Sequence, residues 1–261
     1  MARRPFDAGE LSRALRALID ALPERKVDLA GVAASPVSQL RADILTAIDR
    51  LTALSVDLDP VTQPPVIFNP ADPETVGALI AKTLLEQPRT PLAAAGKFYG
   101  SGVYAIYYRG GFPAYAPIRG KDTPIYVGKA DPRKPGANTP EEQGLTLSRR
   151  LADHMRSITL ATNLHLEDFD CRYLVVRSAW QATAETYLIN RFKPIWNSEV
   201  NICFGFGKHG DDPKTRGNKR SPWDTVHPGR PWAEKSPPYD LSVEKILGKI
   251  AEHYTAHPPA E

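Results

Sequence analysis

The hydrophobic positions of the chain follow helical spacing near the N-terminus and change to short β-rich runs in the middle. Apolar residues at positions 11, 15, 18, 19 and 22 recur at helical intervals until Pro23. A second stripe covers positions 37–51, after the pair Ser35–Pro36, which is typical of a helix start. The pattern predicts two helices with charged outer faces, to which we assign no chemistry.

The segment that follows these helices has a different amino-acid composition. Residues 57–73 are acidic and contain five prolines, which predicts a linker or an extended wrapping segment. Apolar residues at positions 76, 79, 80 and 84 then predict a short helix over residues 73–86.

The middle of the chain is rich in β-formers. Gly102–Tyr108 and Pro124–Gly128 predict two strands, and a helix, a third strand and a second helix are predicted at 146–158, 171–177 and 179–192. Residues 203–238 are loop-like, and a last helix is predicted at 241–254. This order predicts an α+β fold with a small, mostly antiparallel, three-stranded central sheet flanked by helices.

We expect three regions along the chain. The N-terminal helical region with its acidic, proline-rich segment covers residues 1–97, the core covers 98–200, and a basic loop with a final helix covers 201–261.

Composition narrows the class of protein. With 42% hydrophobic and 24% charged residues the chain is ordinary for a globular protein, and no apolar run approaches the roughly 20 residues that a membrane helix needs. No signal-like stretch follows the basic N-terminus, so we expect a cytoplasmic protein without membrane contact. Cys171 and Cys203 are too few for a structural zinc site, and we expect free thiols.

The net charge of +3 is small, but its distribution is uneven. Residues 57–76 carry four acids and no base, whereas residues 205–232 carry six Lys or Arg against three Asp. The second half of the chain therefore holds the basic excess with which a phosphate backbone could be gripped.

Several residues could carry chemistry, and Glu185 is the first of them. It shares a predicted helix face with Leu188, Ile189 and Phe192, and a carboxylate on an apolar face is costly to bury unless it is paired or coordinated. Glu185 is therefore either a rim residue, in water or beside an arginine, or a metal ligand or acid–base group in a cleft.

Arg150 and His154 lie one helical turn apart. An arginine there can clamp a phosphate while the histidine accepts or relays a proton, although for this pair alone a surface arginine and a boundary histidine are the better explanation.

Tyr104 and Tyr126 lie in predicted strands, where tyrosine is common for packing reasons. Lys129 is either a phosphate contact or an ordinary strand-end lysine, and Asn197 either belongs to a site or satisfies a turn.

The order and spacing of these residues carry more information than each residue alone. The combined pattern resembles the GIY-YIG nuclease superfamily, with valine for isoleucine in both signature triplets, through Gly102–Tyr104, Tyr126–Gly128, Arg150, His154, Glu185 and Asn197. Tyr126–Ala130, Gly205–His209 and Ser221–Arg230 further resemble the GIY-YIG type II restriction endonucleases, of which members cleave the palindrome CCGCGG.

The resemblance implies a metal-dependent endonuclease and a role for each motif residue. Glu185 would bind one divalent metal, most simply Mg²⁺. Tyr104 would act as general base or orient the attacking water, helped by Lys129 and His154, and which of Tyr104 and His154 is the kinetic base stays open. Arg150 would stabilise the pentacovalent phosphate, Tyr126 would hydrogen-bond within the site, and Asn197 would position Glu185 or the phosphate.

The implied substrate is double-stranded DNA with a GC-rich palindrome such as CCGCGG. Since one such site cuts one strand, we expect a homo-oligomer, a dimer or a tetramer, and no nucleotide cofactor. The candidate DNA contacts lie in the basic segment, where arginine can read guanine: Lys208, His209, Arg216, Lys219, Arg220 and Arg230.

Two other functions compete with restriction. A GIY-YIG nuclease of the repair or homing type would bring additional DNA-binding modules, whereas the chain after Asn197 has only about sixty residues. A non-catalytic DNA-binding protein would require the whole motif set to coincide by chance.

Overall fold

The computed structural model describes residues 7–24, 27–28, 32–61, 68–177, 180–197, 203–206 and 219–259. The chain divides into two compact units, residues 1–67 and residues 68–261. The three regions expected from the sequence have other boundaries, and their functional division stays a prediction.

The first unit contains two helices. Helix α1 covers Ala8–Ala21, and the side chain of Asp7 accepts hydrogen bonds from two main-chain N–H groups of its first turn. Helix α2 covers Ala34–Asp57 and begins before Ser35, so this serine is not the N-cap that the Ser35–Pro36 pair predicts. No described residue of either helix is buried.

The second unit contains the strands and the remaining described helices. The helices are α3 (Pro73–Glu86), α4 (Pro140–Gln143), α5 (Thr146–Leu160), α6 (Gln181–Phe192), α7 (Pro222–Val226), α8 (Pro231–Glu234) and α9 (Val243–Ala256). The strands are β1 (Thr90–Pro91), β2 (Gly102–Tyr108), β3 (Tyr126–Ala130) and β4 (Phe169–Val175). Short 3-10 helices cover Leu92–Ala94, Pro113–Ile118 and Leu166–Asp168.

The strands form one antiparallel sheet of four strands in the order β1-β4-β2-β3, so the expected count of three strands is wrong. The additional strand is β1, whose two residues pair with Cys171 and Asp170 of β4. A Thr–Pro dipeptide has no apolar alternation, and proline is tolerated only at a sheet edge, so the sequence carries no strand signal there.

The central strand β2 separates two cores. Its residues Tyr104, Ile106 and Tyr108 face a core that includes α5 and the C-terminal helices. The alternate residues Val103, Ala105 and Tyr107 face a core shared with α3 and α6. This two-sided burial explains why β2 is apolar along its whole length.

The segment expected to be loop-like, residues 203–238, contains the short helices α7 and α8. Helix α7 begins with a capping box, in which Ser221 and Asp224 bond to each other's main-chain N–H groups. Among the described residues, no helix is long and apolar enough to cross a membrane.

Candidate active site

A buried tyrosine–histidine pair connects the sheet to α5. The Tyr104 hydroxyl lies 2.7 Å from Nε2 of His154, and both residues are almost fully buried. Gly128 of β3 pairs with Tyr104 across the sheet, and a Cβ atom at Gly128 would collide with the Tyr104 hydroxyl. The glycine of the second signature triplet therefore gives the Tyr104 ring its space over β3.

The surroundings keep the Tyr104 phenol protonated. Burial raises the pKa of Tyr104 well above its usual value, and the neighbouring Tyr126, which also hydrogen-bonds to it, raises this pKa further. Glu185 raises the pKa as well, whereas Arg150 lowers it. Tyr126 hydrogen-bonds to Tyr104, whereas Arg150 and Glu185 act on the Tyr104 pKa through their charges.

His154 is held neutral. Burial lowers its pKa to about 3, the positive charges of Arg150 and Arg230 lower it further, and the main chain of Phe206 opposes the shift. Nδ1 of His154 is buried without a well-formed hydrogen bond among the described residues. A neutral imidazole has one bare nitrogen, so its Nε2 can accept the Tyr104 proton while Nδ1 carries the ring proton.

Glu185 reaches this region from α6, which packs on the opposite face of the sheet from α5. Its side chain is only partly buried. Among the described residues no three His, Cys, Asp or Glu side chains cluster around a possible metal position. A single carboxylate nevertheless fits Mg²⁺, which keeps several waters and binds proteins through one or two carboxylates.

Two other motif residues lie at β3 but do not touch the Tyr104–His154 pair. The Asn197 amide accepts from Val127 N at 2.9 Å and donates to Val127 O at 2.8 Å, so it fixes the main chain of β3. Lys129 pairs in register with Val103, which places its side chain on the face opposite Tyr104, and it forms an ion pair with Asp131.

Aromatic rings close the His154 side of the site. The ring centroid of Phe206 lies 4.5 Å from that of His154, 5.1 Å from that of Tyr126 and 4.4 Å from that of Trp223. Sequence reasoning missed Phe206, although it lies inside the Gly205–His209 motif. Its ring excludes water from His154, which is the physical cause of the low pKa.

Arg230 is fully buried and holds this aromatic wall in place. Its guanidinium donates to Asp224 Oδ1 at 2.6 Å, to Gly205 O at 2.7 Å and to Ser157 Oγ at 3.4 Å. Arg230 thus ties the residue before Phe206 to α5, and its charge is directed into the protein. Asp224, its ionic partner, was not anticipated as a site residue.

Of the other expected DNA contacts, the structure describes Lys219 and Arg220, and both are engaged within the protein. Lys219 forms an ion pair with Asp240 at 2.6 Å, and Arg220 donates to the main-chain oxygens of Ala233 and Glu234 at 3.1 and 3.0 Å. Three further candidates lie outside the described residues: Lys208, His209 and Arg216.

A second buried tyrosine–histidine pair joins Tyr115 to His227 of the Ser221–Arg230 segment. The Tyr115 hydroxyl bonds to Nε2 of His227 and accepts a hydrogen bond from Trp196 Nε1 at 2.8 Å. Nδ1 of His227 bonds to Asn163 Oδ1 at 2.8 Å, so both ring nitrogens of His227 have a partner. His227 lies within the Ser221–Arg230 motif segment, but nothing in the sequence indicates that it bonds to Tyr115.

Comparison with known proteins gives one match. A family described as the Eco29kI GIY-YIG domain matches residues 96–254, which is more than half of the chain. The matched range contains both signature triplets, the Tyr104–His154 pair and the residues that surround it. No curated protein sequence matches the chain.

Proposed function

The chain belongs to the Eco29kI GIY-YIG family, a family of restriction endonucleases, and from this premise we propose that it is a type II, Mg²⁺-dependent enzyme that cuts double-stranded DNA at a GC-rich palindrome such as CCGCGG. Family membership makes it a DNA-cleaving nuclease. The metal, the site specificity and the roles of individual residues are the content of the proposal.

One observation carries the mechanism, namely the 2.7 Å hydrogen bond between Tyr104 and a neutral His154. A protonated phenol cannot by itself remove a proton from water, whereas a phenol that passes its own proton to Nε2 can accept one at the same time. As the water oxygen bonds to phosphorus, its proton passes through the partly exposed Tyr126 hydroxyl to the Tyr104 oxygen, and the phenol proton of Tyr104 moves to His154. The bond to the leaving sugar oxygen breaks, and that oxygen takes a proton from solvent.

Tyr126 has a distinct part in this scheme. Tyr104 is fully buried, whereas Tyr126 is partly exposed and hydrogen-bonds to it. Tyr126 therefore links the buried pair to the surface at which DNA binds. Either Tyr104 or His154 serves as the kinetic base in this arrangement, because each of them accepts a proton during the reaction.

Arg150 and Glu185 supply charge to the same place. Arg150 would stabilise the additional negative charge of the pentacovalent phosphate. Glu185 would hold Mg²⁺, which when bound polarises a non-bridging phosphate oxygen and neutralises charge. Their opposing influences on the Tyr104 pKa support this placement, because both groups act on one hydroxyl.

Lys129 and Asn197 act at the edge of the site in our proposal. Lys129 would contact a DNA phosphate beside Asp131. Asn197 would keep β3 in the position that lets Gly128 face Tyr104.

DNA recognition would come from the basic C-terminal segment. Lys208, His209, Arg216, Lys219 and Arg220 remain the candidate contacts, through arginine–guanine pairs and phosphate contacts. The contribution of Arg230 would be indirect, because its guanidinium is engaged by Asp224 and Gly205.

Plasmid cleavage tests the catalytic proposal. Wild-type protein with Mg²⁺ should yield discrete fragments whose ends define the recognition site, and Glu185→Ala should abolish cleavage while retaining DNA binding in a gel shift. Glu86→Ala is the matched control, since Glu86 is an exposed α3 residue beside Lys82. Normal cleavage by Glu185→Ala would refute the metal assignment. A smear would indicate a nonspecific nuclease, and intact plasmid a DNA-binding protein without activity.

Oligomeric state forms a separate test. Two active sites related by a twofold axis would cut both strands of a palindrome, so we expect a dimer or tetramer by light scattering. A species that stays monomeric on its cognate DNA would contradict this part of the proposal.

A further inference from the structure

A basic cleft of about 880 Å³ lies beside the proposed active site and outside its motif residues. One wall is the segment 133–137, which follows β3, and the other is the first turn of α5. The side chains that give the cleft its character are Arg133, Lys134, Arg149 and Tyr99.

The walls of the cleft are fixed to the catalytic sheet by main-chain hydrogen bonds. Gly100, two residues before β2, donates to Gly144 O at 2.7 Å and accepts from Leu147 N at 3.0 Å. On the other wall, Arg133 N donates to Gln143 O at 3.2 Å. The cleft is thus anchored at the end of the sheet where β2 begins and β3 ends.

Its cations are not neutralised by ion pairs. Among the described residues, neither Arg133, Lys134 nor Arg149 forms a salt bridge within 4.0 Å. Two acids also line the cleft, Glu141 and Glu142. The Glu142 carboxylate is engaged by the main-chain N–H groups of residues 138 and 139, at 2.9 and 3.2 Å. The three exposed cations outnumber the two acids, and Glu141 forms no ion pair with them among the described residues, so they remain available to an anion.

The cleft and the proposed site share helix α5. Arg149 lines the cleft, whereas the next residue, Arg150, acts on Tyr104 and His154. Successive helix residues point in directions about 100° apart, so neighbouring residues of one helical turn can face the cleft and the proposed site. A DNA strand with a phosphate at Arg150 would have its neighbouring phosphates within reach of Arg149 and of the segment 133–137.

We propose that this cleft binds the sugar–phosphate backbone of the substrate strand beside the phosphate to be cut. The ligand class is the phosphodiester anion of nucleic acid, held by Arg133, Lys134 and Arg149, with the exposed Tyr99 hydroxyl as an additional donor. The inference rests on the proposed nuclease function. It predicts anchoring without sequence reading, because backbone phosphates carry no direct base information.

The test is a salt titration of duplex binding in EDTA, which separates binding from cleavage. A plot of the logarithm of the DNA-binding constant against the logarithm of the salt concentration has a negative slope. In the double variant Arg133→Ala/Lys134→Ala the magnitude of this slope should fall by about 1.8, since each phosphate bound by a cation contributes about 0.9. Near 0.1 M salt this corresponds to roughly tenfold weaker binding for each phosphate that the variant no longer holds. Cognate and unrelated duplexes should weaken equally, and the cleavage pattern should stay unchanged.

The control variant removes the same charge elsewhere. Lys82→Ala/Arg191→Ala removes one lysine and one arginine from exposed positions of α3 and α6 and should leave the salt dependence as in wild type. Arg149→Ala provides a second variant, with an expected change in steepness of about 0.9.

The possible outcomes distinguish a failure of the cleft proposal from a failure of the proposed nuclease function. If wild type cuts DNA but the Arg133/Lys134 variant titrates like the control, the cleft proposal is wrong and the nuclease proposal stands. A variant that changes the sequence cut, with an unchanged salt dependence, also overturns backbone anchoring. If wild type neither binds nor cuts DNA, the nuclease proposal is wrong, and the cleft proposal that rests on it is wrong as well.

Discussion

The molecule contains two buried tyrosine–histidine pairs, Tyr104–His154 and Tyr115–His227, with similar chemistry and different surroundings. In both pairs burial raises the pKa of the tyrosine well above its usual value. Burial also lowers the pKa of both histidines to about 3. A perturbed pKa therefore does not tell which of the two pairs belongs to an active site.

The hydrogen-bond chains tell them apart. Beyond Tyr115 the chain ends at Trp196, whose Nε1–H can donate but cannot accept, so a proton has no way onward. Beyond Tyr104 the chain continues to the Tyr126 hydroxyl, which can do both and is partly exposed. The Tyr104 chain therefore reaches the partly exposed surface through a hydroxyl that donates and accepts, whereas the Tyr115 chain ends at the Trp196 indole on one side and at the Asn163 amide on the other.

Charge gives a second difference. Arg150 and Glu185 act on the Tyr104 hydroxyl with opposite effects on its pKa. The Tyr115 pKa is raised by burial and by neighbouring neutral acids such as Tyr254 and Cys203, without a carboxylate or an arginine among its main influences. The Tyr115 pair therefore resembles a structural core element, and the Tyr104 pair a place prepared for a charged ligand.

The strongest test exchanges each tyrosine for phenylalanine. Tyr104→Phe should lower the cleavage rate by about 10²–10⁴-fold, the usual contribution of a proton-transfer group, measured in single-turnover assays. Tyr115→Phe should leave the rate per folded molecule near wild type. It should instead destabilise the fold by about 1–3 kcal/mol for each of Trp196 Nε1 and His227 Nε2 that is left without its partner.

The comparison fails if the two variants behave alike. Cleavage by Tyr104→Phe at the wild-type rate would remove the phenol from the mechanism. Loss of activity in folded Tyr115→Phe would mean that the second pair also takes part in catalysis.

Acid should act on both pairs through stability. A histidine with a folded pKa near 3 and an unfolded pKa near 6.5 stabilises the fold above pH 6.5, and this stabilisation is lost as the pH falls from 6.5 towards 3. Each histidine should contribute a slope of about 1.4 kcal/mol per pH unit between pH 6 and pH 5. The buried His253, whose pKa is also lowered, adds in the same direction.

Urea unfolding at several pH values measures this slope. His154→Gln and His227→Gln should each reduce it by a similar amount, so stability does not distinguish the pairs, whereas activity should. Because His154 stays neutral, cleavage by wild type should show no inflection near pH 6.5. An inflection there would contradict a buried, neutral His154.

Gly128, which packs against Tyr104, gives a further test of the difference between the two pairs. Gly128→Ala places a Cβ atom against the Tyr104 hydroxyl, and overpacking of this kind costs about 1–3 kcal/mol. We expect a displaced phenol and reduced cleavage as well as lower stability. Gly248→Ala is the control, because no atom lies within 4 Å of its added Cβ and alanine favours the helical backbone. Equal activity of the two variants would show that the Tyr104 position is not critical.

The family resemblance of the sequence motifs points to Tyr104 and His154 together, whereas nothing in the sequence points to the bond between Tyr115 and His227. Tyr104, Gly128 and His154 lie within regular elements whose periodicity and spacing are visible in the chain, and the structure places them together. The Tyr115–His227 bond joins residues 112 positions apart, through a 3-10 helix and the end of α7. Such a contact arises from tertiary packing, which a single sequence does not encode locally.

The same reason explains the other differences between sequence and structure. Strand β1 exists because β4 offers it a pairing edge, and two residues have no periodicity of their own. Arg230 is an arginine in a basic segment, which suggests DNA contact, yet the structure buries it against Asp224. Charge along the sequence does not show which side chains face inward.

The smallest expected effect lies at the far end of the Tyr115 chain, where Asn163 bonds to Nδ1 of His227. Asn163→Ala should cost about 1–2 kcal/mol in urea unfolding at pH 8, because the hydrogen bonds of Asn163 to His227 Nδ1 and to Val226 O are removed while solvent remains close to the exposed residue 163. Asn163→Asp should instead favour the charged imidazole and raise the pKa of His227, which NMR titration would detect. Neither variant should change cleavage per folded molecule. A cleavage defect in either variant would show that the Tyr115–His227 pair also affects catalysis, and the proposed division into a catalytic and a structural pair would be wrong.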